Sequence, residues 1–251
     1  MCNLQVCAPL DGVIIPLKDV PDPVFSEKML GDGLAIDSAQ GVIKAPFSGK
    51  ITSFHKMLHA FVISSQKIEL LVHVGIETIN LNREGFTQLV NVGDEVTQGQ
   101  PILKFSPELV AQKALCPYTL LIVTTPTHAQ ITQTATGTVH TGDSLFTVHL
   151  PAEEKPQNFL TDYIESAPIV IRFSHGLHAR PAGLLAAQAA RFSCPIQLIK
   201  NKQSANAKSV LEIMQLSISQ NETVSLRVFA PKETAQKVLT ALEPILQKIP
   251  S

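Results

Sequence analysis

Over its first 150 residues, the chain alternates short runs of apolar and β-branched residues with turns rich in Gly, Pro, Asn and Asp. Runs of this kind, bounded by turn formers, are typical of β-strands. The clearest are residues 41–45, 60–64, 68–73 and 102–105. Residues 107–115 form the one stretch with a good helical pattern. The pattern predicts an all-β sandwich or barrel for this part of the chain.

Two pairs of segments within this part resemble each other. Residues 8–14 (APLDGVI) match residues 45–51 (APFSGKI), and residues 92–96 (VGDEV) match residues 141–145 (TGDSL). Gly-Asp before a short apolar strand is a turn signal, because glycine tolerates a positive φ angle. The repeats predict that similar turns recur within one compact β-structure.

The last 85 residues alternate between strand and helix patterns. The expected strands are residues 168–173, 196–200, 204–207 and 223–229. The expected helices run from about Ala179 to Phe192, from Ser209, where Glu212 completes a capping-box pattern, and over 232–249, where Pro244 would kink or interrupt the helix. The order βαββαβα predicts an α+β fold, an open-faced sandwich.

Charge divides the chain more sharply than its overall balance suggests. Residues 1–150 carry 9 basic and 13 acidic side chains, whereas residues 167–251 carry 10 and 4. Residues 151–166 are polar, contain prolines and show no periodicity. We therefore expect an acidic domain over 1–150, a linker over 151–166 with an r.m.s. span of about 20–25 Å, and a basic domain over 167–251.

Composition argues against several classes of function. With a net charge of −1 and 5% aromatic residues, the chain as a whole gives no sign of a nucleic-acid partner. No apolar run is long enough to span a membrane, and the N-terminus lacks the pattern of a secretory signal. The four cysteines are widely spaced and include no Cys-x-x-Cys pair, so we expect reduced thiols, no structural zinc and a cytoplasmic location.

The segment 176–181 (GLHARP) places His178 directly before a predicted helix. The free amides of a helix N-terminus favour an anion, and the guanidinium of Arg180 adds a fork suited to phosphate oxygens. A neutral histidine there is able to attack an electrophilic phosphorus. The plainer alternative is that His178 only caps the helix and that Arg180 is a surface residue.

This second domain resembles HPr, the histidine phosphocarrier of the bacterial phosphoenolpyruvate:sugar phosphotransferase system. The resemblance covers residues 167–251 and rests on the GLHARP motif and on residues 207–209 (AKS). It implies that His178 is the phosphorylated residue and that Arg180 binds the phosphoryl group. Some HPr proteins are also phosphorylated on a regulatory serine, whose position Ser209 occupies. The alternative is structural, since Ser209 with Glu212 is a complete capping box by itself.

In the first domain, His59 and His73 lie on two neighbouring apolar runs. If these runs form a hairpin, the two rings lie close together, where one histidine attacks phosphorus and the other donates a hydrogen bond to its oxygens. There are two alternatives: the histidines make only ordinary hydrogen bonds within their strands, or they bind a metal ion together. No third ligand stands at a metal-binding spacing, so we expect no closed zinc site.

Residues 8–150 resemble the glucose-type IIA domain of the same system. The matching segments are residues 20–33 (VPDPVFSEKMLGDG), 45–49 (APFSG), 59–61 (HAF), 69–78 (ELLVHVGIET) and 84–86 (EGF). The resemblance implies a β-sandwich with a shallow apolar face, phosphorylation of His73 and a supporting role for His59. One departure is Met57, where the family usually has a threonine. The other histidines, His55 among them, carry no motif, and we interpret them as surface or structural residues.

The two resemblances together predict a phosphotransferase component without metal or cofactor. A phosphoryl group would pass from Enzyme I to His178, then to His73, and then to a IIB domain of a sugar permease. The opposite domain charges fit docking of the HPr domain on the IIA domain of the same chain and on other IIA proteins alike. The sugar is open between glucose and N-acetylglucosamine. The alternative is a regulatory binding protein whose IIA face controls permeases or metabolic enzymes according to its phosphorylation.

Fusions with this order of domains often continue into Enzyme I, which these 251 residues do not resemble. A two-domain carrier and a piece of a longer fusion both fit the sequence.

Overall fold

The computed structural model describes residues 2–124, 129–132, 134–150, 162–174, 176–177 and 179–247. The chain divides into two compact units, Met1–Ala152 and Glu153–Ser251. No helix in the described ranges is both long and apolar enough to cross a membrane.

The described part of the first unit consists almost entirely of β-strands, and its largest sheet has eight strands. In chain order its elements are β1 (Cys2–Cys7), β2 (Gly12–Pro16), α1 (Pro23–Ser26), β3 (Asp32–Asp37), β4 (Val42–Lys44), β5 (Gly49–Phe54), β6 (Ala60–Ser65), β7 (Ile68–Ile76), β8 (Phe86–Gln88), β9 (Glu95–Val96), β10 (Pro101–Phe105), α2 (Pro107–Lys113), β11 (Cys116–Val123), β12 (Gln130–Thr132), β13 (Thr138–Val139) and β14 (Ser144–Leu150), with 3-10 turns at Leu17–Asp19 and Thr78–Leu81. The eight strands follow the order β13-β2-β3-β11-β7-β6-β5-β9, and two three-stranded sheets follow the orders β1-β14-β12 and β4-β10-β8.

One apolar core joins these three sheets. Phe61 on β6, Phe146 on β14 and Ile102 on β10 belong to different sheets, yet all are fully buried in the same cluster. The three sheets therefore share one apolar interior. The all-β prediction is confirmed for this unit, as is the short helix α2. The helix α1 is an addition that the pattern did not predict.

The repeated Gly-Asp turns have matching hydrogen bonds. The Asp94 carboxylate accepts from the backbone N–H of Asn91 at 2.8 Å, and the Asp143 carboxylate accepts from that of His140 at 2.7 Å. The glycine before each aspartate has a φ angle near +95°, 99° in the first turn and 94° in the second. The internal repeat in the sequence is thus a repeat in local structure.

The described part of the second unit combines an antiparallel sheet with three helices. Its elements are β15 (Ile164–Glu165), β16 (Ile169–Val170), α3 (Ala179–Ala189), β17 (Ile196–Lys200), β18 (Gln203–Asn206), α4 (Val210–Gln215), β19 (Thr223–Val228) and α5 (Lys232–Gln247). The sheet order is β15-β19-β17-β18, and β16 also pairs with β19. The α3 helix packs against α4 and α5. The α+β fold and the predicted order of elements are confirmed.

Three details of this unit differ from the sequence-based expectations. Ile164–Glu165, placed in the linker, form β15, because the Glu165 carboxylate binds Ser225 and Arg227 on the neighbouring strand. Of the strand expected over 168–173, only Ile169–Val170 pair with β19. The last helix continues without a break through Pro244 to Gln247.

The capping box at α4 is only half present. The Ser209 hydroxyl accepts from the backbone N–H of Glu212 at 3.2 Å, as an N-cap should. The Glu212 carboxylate does not accept from the backbone N–H of Ser209, which donates to the carbonyl of Asn206. It accepts instead from the backbone N–H of Asn206 at 2.7 Å, which ties the start of the helix to the end of β18.

Candidate functional site

The β6–β7 hairpin brings His59 and His73 together. Ala60 pairs with His73 in the antiparallel register, and the backbone N–H of Val74 donates to the carbonyl of His59 at 2.8 Å. The two imidazole rings lie edge to face, with centroids 4.8 Å apart and planes at 70°. The proximity that the sequence predicted from a hairpin is therefore present in the structure.

Both rings are largely withdrawn from water. His59 is 5% exposed and His73 is 7% exposed, and the Nδ1 atom of each is fully buried. Two such rings at this separation are able to place a nucleophilic nitrogen and a hydrogen-bond donor around one small anionic group.

The backbone that follows His73 is held by a tight local arrangement. The Thr78 hydroxyl donates to the carbonyl of Val74 at 2.6 Å, and Thr78 itself is fully buried. Gly75 has a φ angle of 66°, in the left-handed region, and a Cβ there would lie 2.5 Å from the Thr78 side chain. These contacts fix where β7 ends, and so fix His73 near that end.

The short helix α1 supplies the aromatic neighbour of His73. The Phe25 ring lies 5.5 Å from the His73 ring, with the planes tilted by 58°. The Asp22 carboxylate accepts from the backbone N–H of Val24 at 3.0 Å, and Pro23 occupies the first helical position. An N-cap residue followed by proline is a common start of a helix, so the sequence contains a start signal for α1. The helix is only four residues long, too short to show a helical pattern of apolar residues.

His55 is a member of the site that the sequence analysis missed. It was interpreted as a surface or structural histidine, but its ring lies 4.4 Å from the His59 ring, closer than His73 does. Its Nδ1 accepts from the backbone N–H of Met57 at 3.2 Å. Burial, together with the charge of Lys56, lowers the pKa of His55 to about 4, so this ring is neutral at pH 7.

No group of three or more His, Cys, Asp or Glu side chains among the described residues is arranged to hold a metal ion. Two of the other histidines have structural contacts: His149 bonds to Asn3 and Thr132, and His140 lies 3.9 Å from Asp11.

The site predicted in the second unit is described only in part. His178 and the side chain of Arg180 lie outside the described residues, as does His175. The helix α3 begins at Ala179, as the sequence predicts. The preceding backbone is anchored, because the N–H of Leu177 donates to the carbonyl of Ile218 at 2.9 Å. Gly176, with a φ angle of 71°, passes so close to that carbonyl that a Cβ would lie 2.0 Å from it.

Comparisons with known families match both units. Residues 4–129 match the family model described as phosphoenolpyruvate-dependent sugar phosphotransferase system, EIIA 1, and residues 165–248 match that of the PTS HPr component phosphorylation site.

Solved structures similar to parts of the chain include one IIA protein and two HPr proteins. Glucose permease IIA from Mycoplasma capricolum is 35% identical, with a TM-score of 0.56, over 59% of this chain and 96% of that one. The phosphocarrier protein HPr from Bacillus anthracis is 29% identical, with a TM-score of 0.31, over 34% of this chain and 98% of that one. HPr-C-His from Thermoanaerobacter tengcongensis is 38% identical, with a TM-score of 0.29, over 33% and 94%.

Proposed function

The chain belongs to the phosphoenolpyruvate-dependent sugar phosphotransferase system, as a glucose-type IIA domain followed by an HPr domain, and on this premise we propose that it relays a phosphoryl group through two histidines. Domains of both kinds are phosphocarriers of that system. In the relay, Enzyme I phosphorylates His178, His178 passes the group to His73, and His73 passes it to a IIB domain of a sugar permease.

The His59–His73 pair is the observation that carries the proposal. The ring centroids are 4.8 Å apart, and both Nδ1 atoms are buried. We therefore assign the reaction at His73 to Nε2. The Nε2 lone pair attacks the phosphorus of an incoming phosphohistidine in line, the bond from phosphorus to the donor nitrogen breaks, and that nitrogen keeps the electron pair. His59 donates a hydrogen bond to the phosphoryl oxygens, which lowers the cost of their charge in a buried site.

The start of α3 supports His178 as the donor. Backbone N–H groups in the first turn of a helix have no intrahelical partner, so they favour a phosphoryl group on the residue that precedes Ala179. Arg180 lies within that first turn and would neutralise phosphoryl charge during docking. The opposite charges of the two domains favour docking of an HPr domain on an IIA domain.

Peptide mapping by mass spectrometry tests this assignment. The full chain is incubated with phosphoenolpyruvate and Enzyme I and digested under basic conditions that preserve phosphohistidine. We expect phosphohistidine at His178 and at His73, and loss of the second in His73→Asn. His149→Asn, which changes another strand histidine of the same domain, should retain both. Phosphorylation at other residues, or at none, would contradict the proposal.

A further inference from the structure

Four aromatic rings at the IIA site form a chain of successive neighbours. From one end to the other they belong to Phe25, His73, His59 and His55, with successive centroids 5.5, 4.8 and 4.4 Å apart. The proposed relay uses the middle two. His55 is the ring at the far end, and it makes the closest contact of the three.

The backbone around His55 holds that ring in place. His55 follows β5, and its N–H donates to the carbonyl of Ala60 at 2.8 Å, which closes the loop between β5 and β6. Its carbonyl accepts from the N–H of Leu58 at 2.8 Å, and Leu58 is buried with a φ angle of 63°. The loop is therefore a tight turn that leads directly from His55 to His59.

The side chain of His55 is fixed as well. Its Nδ1 accepts from the N–H of Met57, so the neutral ring must carry its proton on Nε2. The depressed pKa keeps the ring neutral at pH 7, so His55 places no positive charge beside the His59 ring. A ring held in one tautomer and one orientation offers His59 a constant surface to pack on.

We propose that His55 is a positioning residue for phosphoryl transfer, whose ring holds the His59 imidazole in the orientation that meets the phosphoryl group on His73. This role rests on the proposed function of the His59–His73 pair. In this role, the contact between the His55 and His59 rings affects the rate of phosphoryl transfer, and the hydrogen bond from Met57 does not.

Two substitutions separate the ring from the hydrogen bond. His55→Asn keeps an oxygen able to accept from the N–H two residues on, as asparagine does in turns, but removes the ring. His55→Phe keeps a ring of similar size but removes the acceptor. His140→Asn is the remote control, since that histidine is 77% exposed and lies away from the site.

The experiment measures single-turnover transfer from a separate phosphorylated HPr to the full chain, in a His178→Ala background so that only His73 is loaded. We expect His55→Asn to lower the maximal rate about tenfold, as loss of orientation does, without changing the half-saturating HPr concentration. His55→Phe should stay within about threefold of the parent rate. His140→Asn should match the parent.

A second readout follows the His59 ring directly. In ¹⁵N-labelled full-length protein, the His59 ring resonances should show one tautomer in the parent and in His55→Phe, and averaging in His55→Asn. If His55→Asn transfers at the parent rate and leaves the His59 resonances unchanged, the role proposed for His55 is wrong, while the proposed function of the His59–His73 pair is unaffected. If the parent chain accepts no phosphoryl group at His73, the proposed function fails and this role fails with it.

Discussion

His73 lies close to a backbone turn that tolerates very few side chains. Two residues later, Gly75 adopts a φ angle of 66°, and the N–H of Val74 is bonded to His59 while its carbonyl is bonded to Thr78. Any shift of this segment would move the strand that carries His73 relative to His59. The position of the candidate nucleophile therefore depends on a glycine that takes no part in the chemistry.

Gly75→Ala should test this dependence. An added Cβ meets Thr78 at 2.5 Å and Val110 at 3.0 Å, in addition to the cost of the left-handed conformation. We expect the free energy of unfolding to fall by about 2–4 kcal/mol in urea titrations. The matched control is Gly93→Ala, where φ is 99° but no atom lies within 4 Å, and where the loss should be about 1 kcal/mol. Equal losses would show that the contact with Thr78 has no effect.

His55 should also give the domain a measurable dependence on pH. Its native pKa is about 4, whereas an unfolded histidine titrates near 6.5. Between these values the unfolded chain binds more protons, so stability is full above pH 6.5 and falls as the pH is lowered towards 4. From pH 7 to 4.5, the wild type should lose about 2 kcal/mol more than His55→Asn in urea unfolding. Parallel pH profiles for the two proteins would contradict the depressed pKa.

At the scale of elements, α4 is a short helix that depends on contacts at both ends. Ser209 caps its start, and the Lys200 ammonium donates to the carbonyls of Leu216 and Ser217 just beyond its end. Lys200 also pairs with Glu222 at 2.8 Å, and its side chain is only 13% exposed. A helix this short gains little from its own hydrogen bonds, so these contacts decide whether it forms.

Lys200→Met should therefore destabilise the second unit. It retains the apolar stem but leaves the two carbonyls without their charged donor, which should lower the free energy of unfolding by about 2 kcal/mol. Lys202→Met is the control, because Lys202 is exposed in the turn between β17 and β18 and should change stability by less than about 0.5 kcal/mol. Equal effects of the two substitutions, measured by chemical denaturation, would contradict this account of α4.

The sequence predicted those parts of the site that follow from strand pairing. Two neighbouring apolar runs gave the β6–β7 hairpin, and the hairpin places His59 beside His73. It did not predict the contact of His55, because that contact depends on a turn in which a buried leucine, Leu58, adopts a positive φ angle. Nothing in the residue type signals that conformation. The helix α1 was missed for a different reason, since four residues are too few to show a period.

At the scale of the whole molecule, the chain joins two phosphocarrier domains of one system. A tether raises the effective concentration of one domain near the other to the millimolar range when the geometry allows contact. We expect His178 to deliver its phosphoryl group to His73 of the same chain faster than to His73 of another.

A mixture of two variants tests transfer within one chain. His73→Ala chains hold a donor without an acceptor, and His178→Ala chains hold an acceptor without a donor. At micromolar concentration, the mixture should phosphorylate His73 at least about tenfold more slowly than the wild type, and the mixture alone should speed up with concentration. Equal rates in both samples would show that tethering makes no contribution.

The central claim is that the phosphoryl group reaches His73 through His178, and the mass of the intact protein tests it most directly. Wild type, His178→Ala and His73→Ala are each incubated with phosphoenolpyruvate and Enzyme I, without any other HPr, at neutral to basic pH. The account predicts two added phosphoryl groups on the wild type, one on His73→Ala and none on His178→Ala. A phosphoryl group on His178→Ala would contradict the relay. No added mass on folded wild type, beside an active control HPr, would contradict the phosphocarrier role.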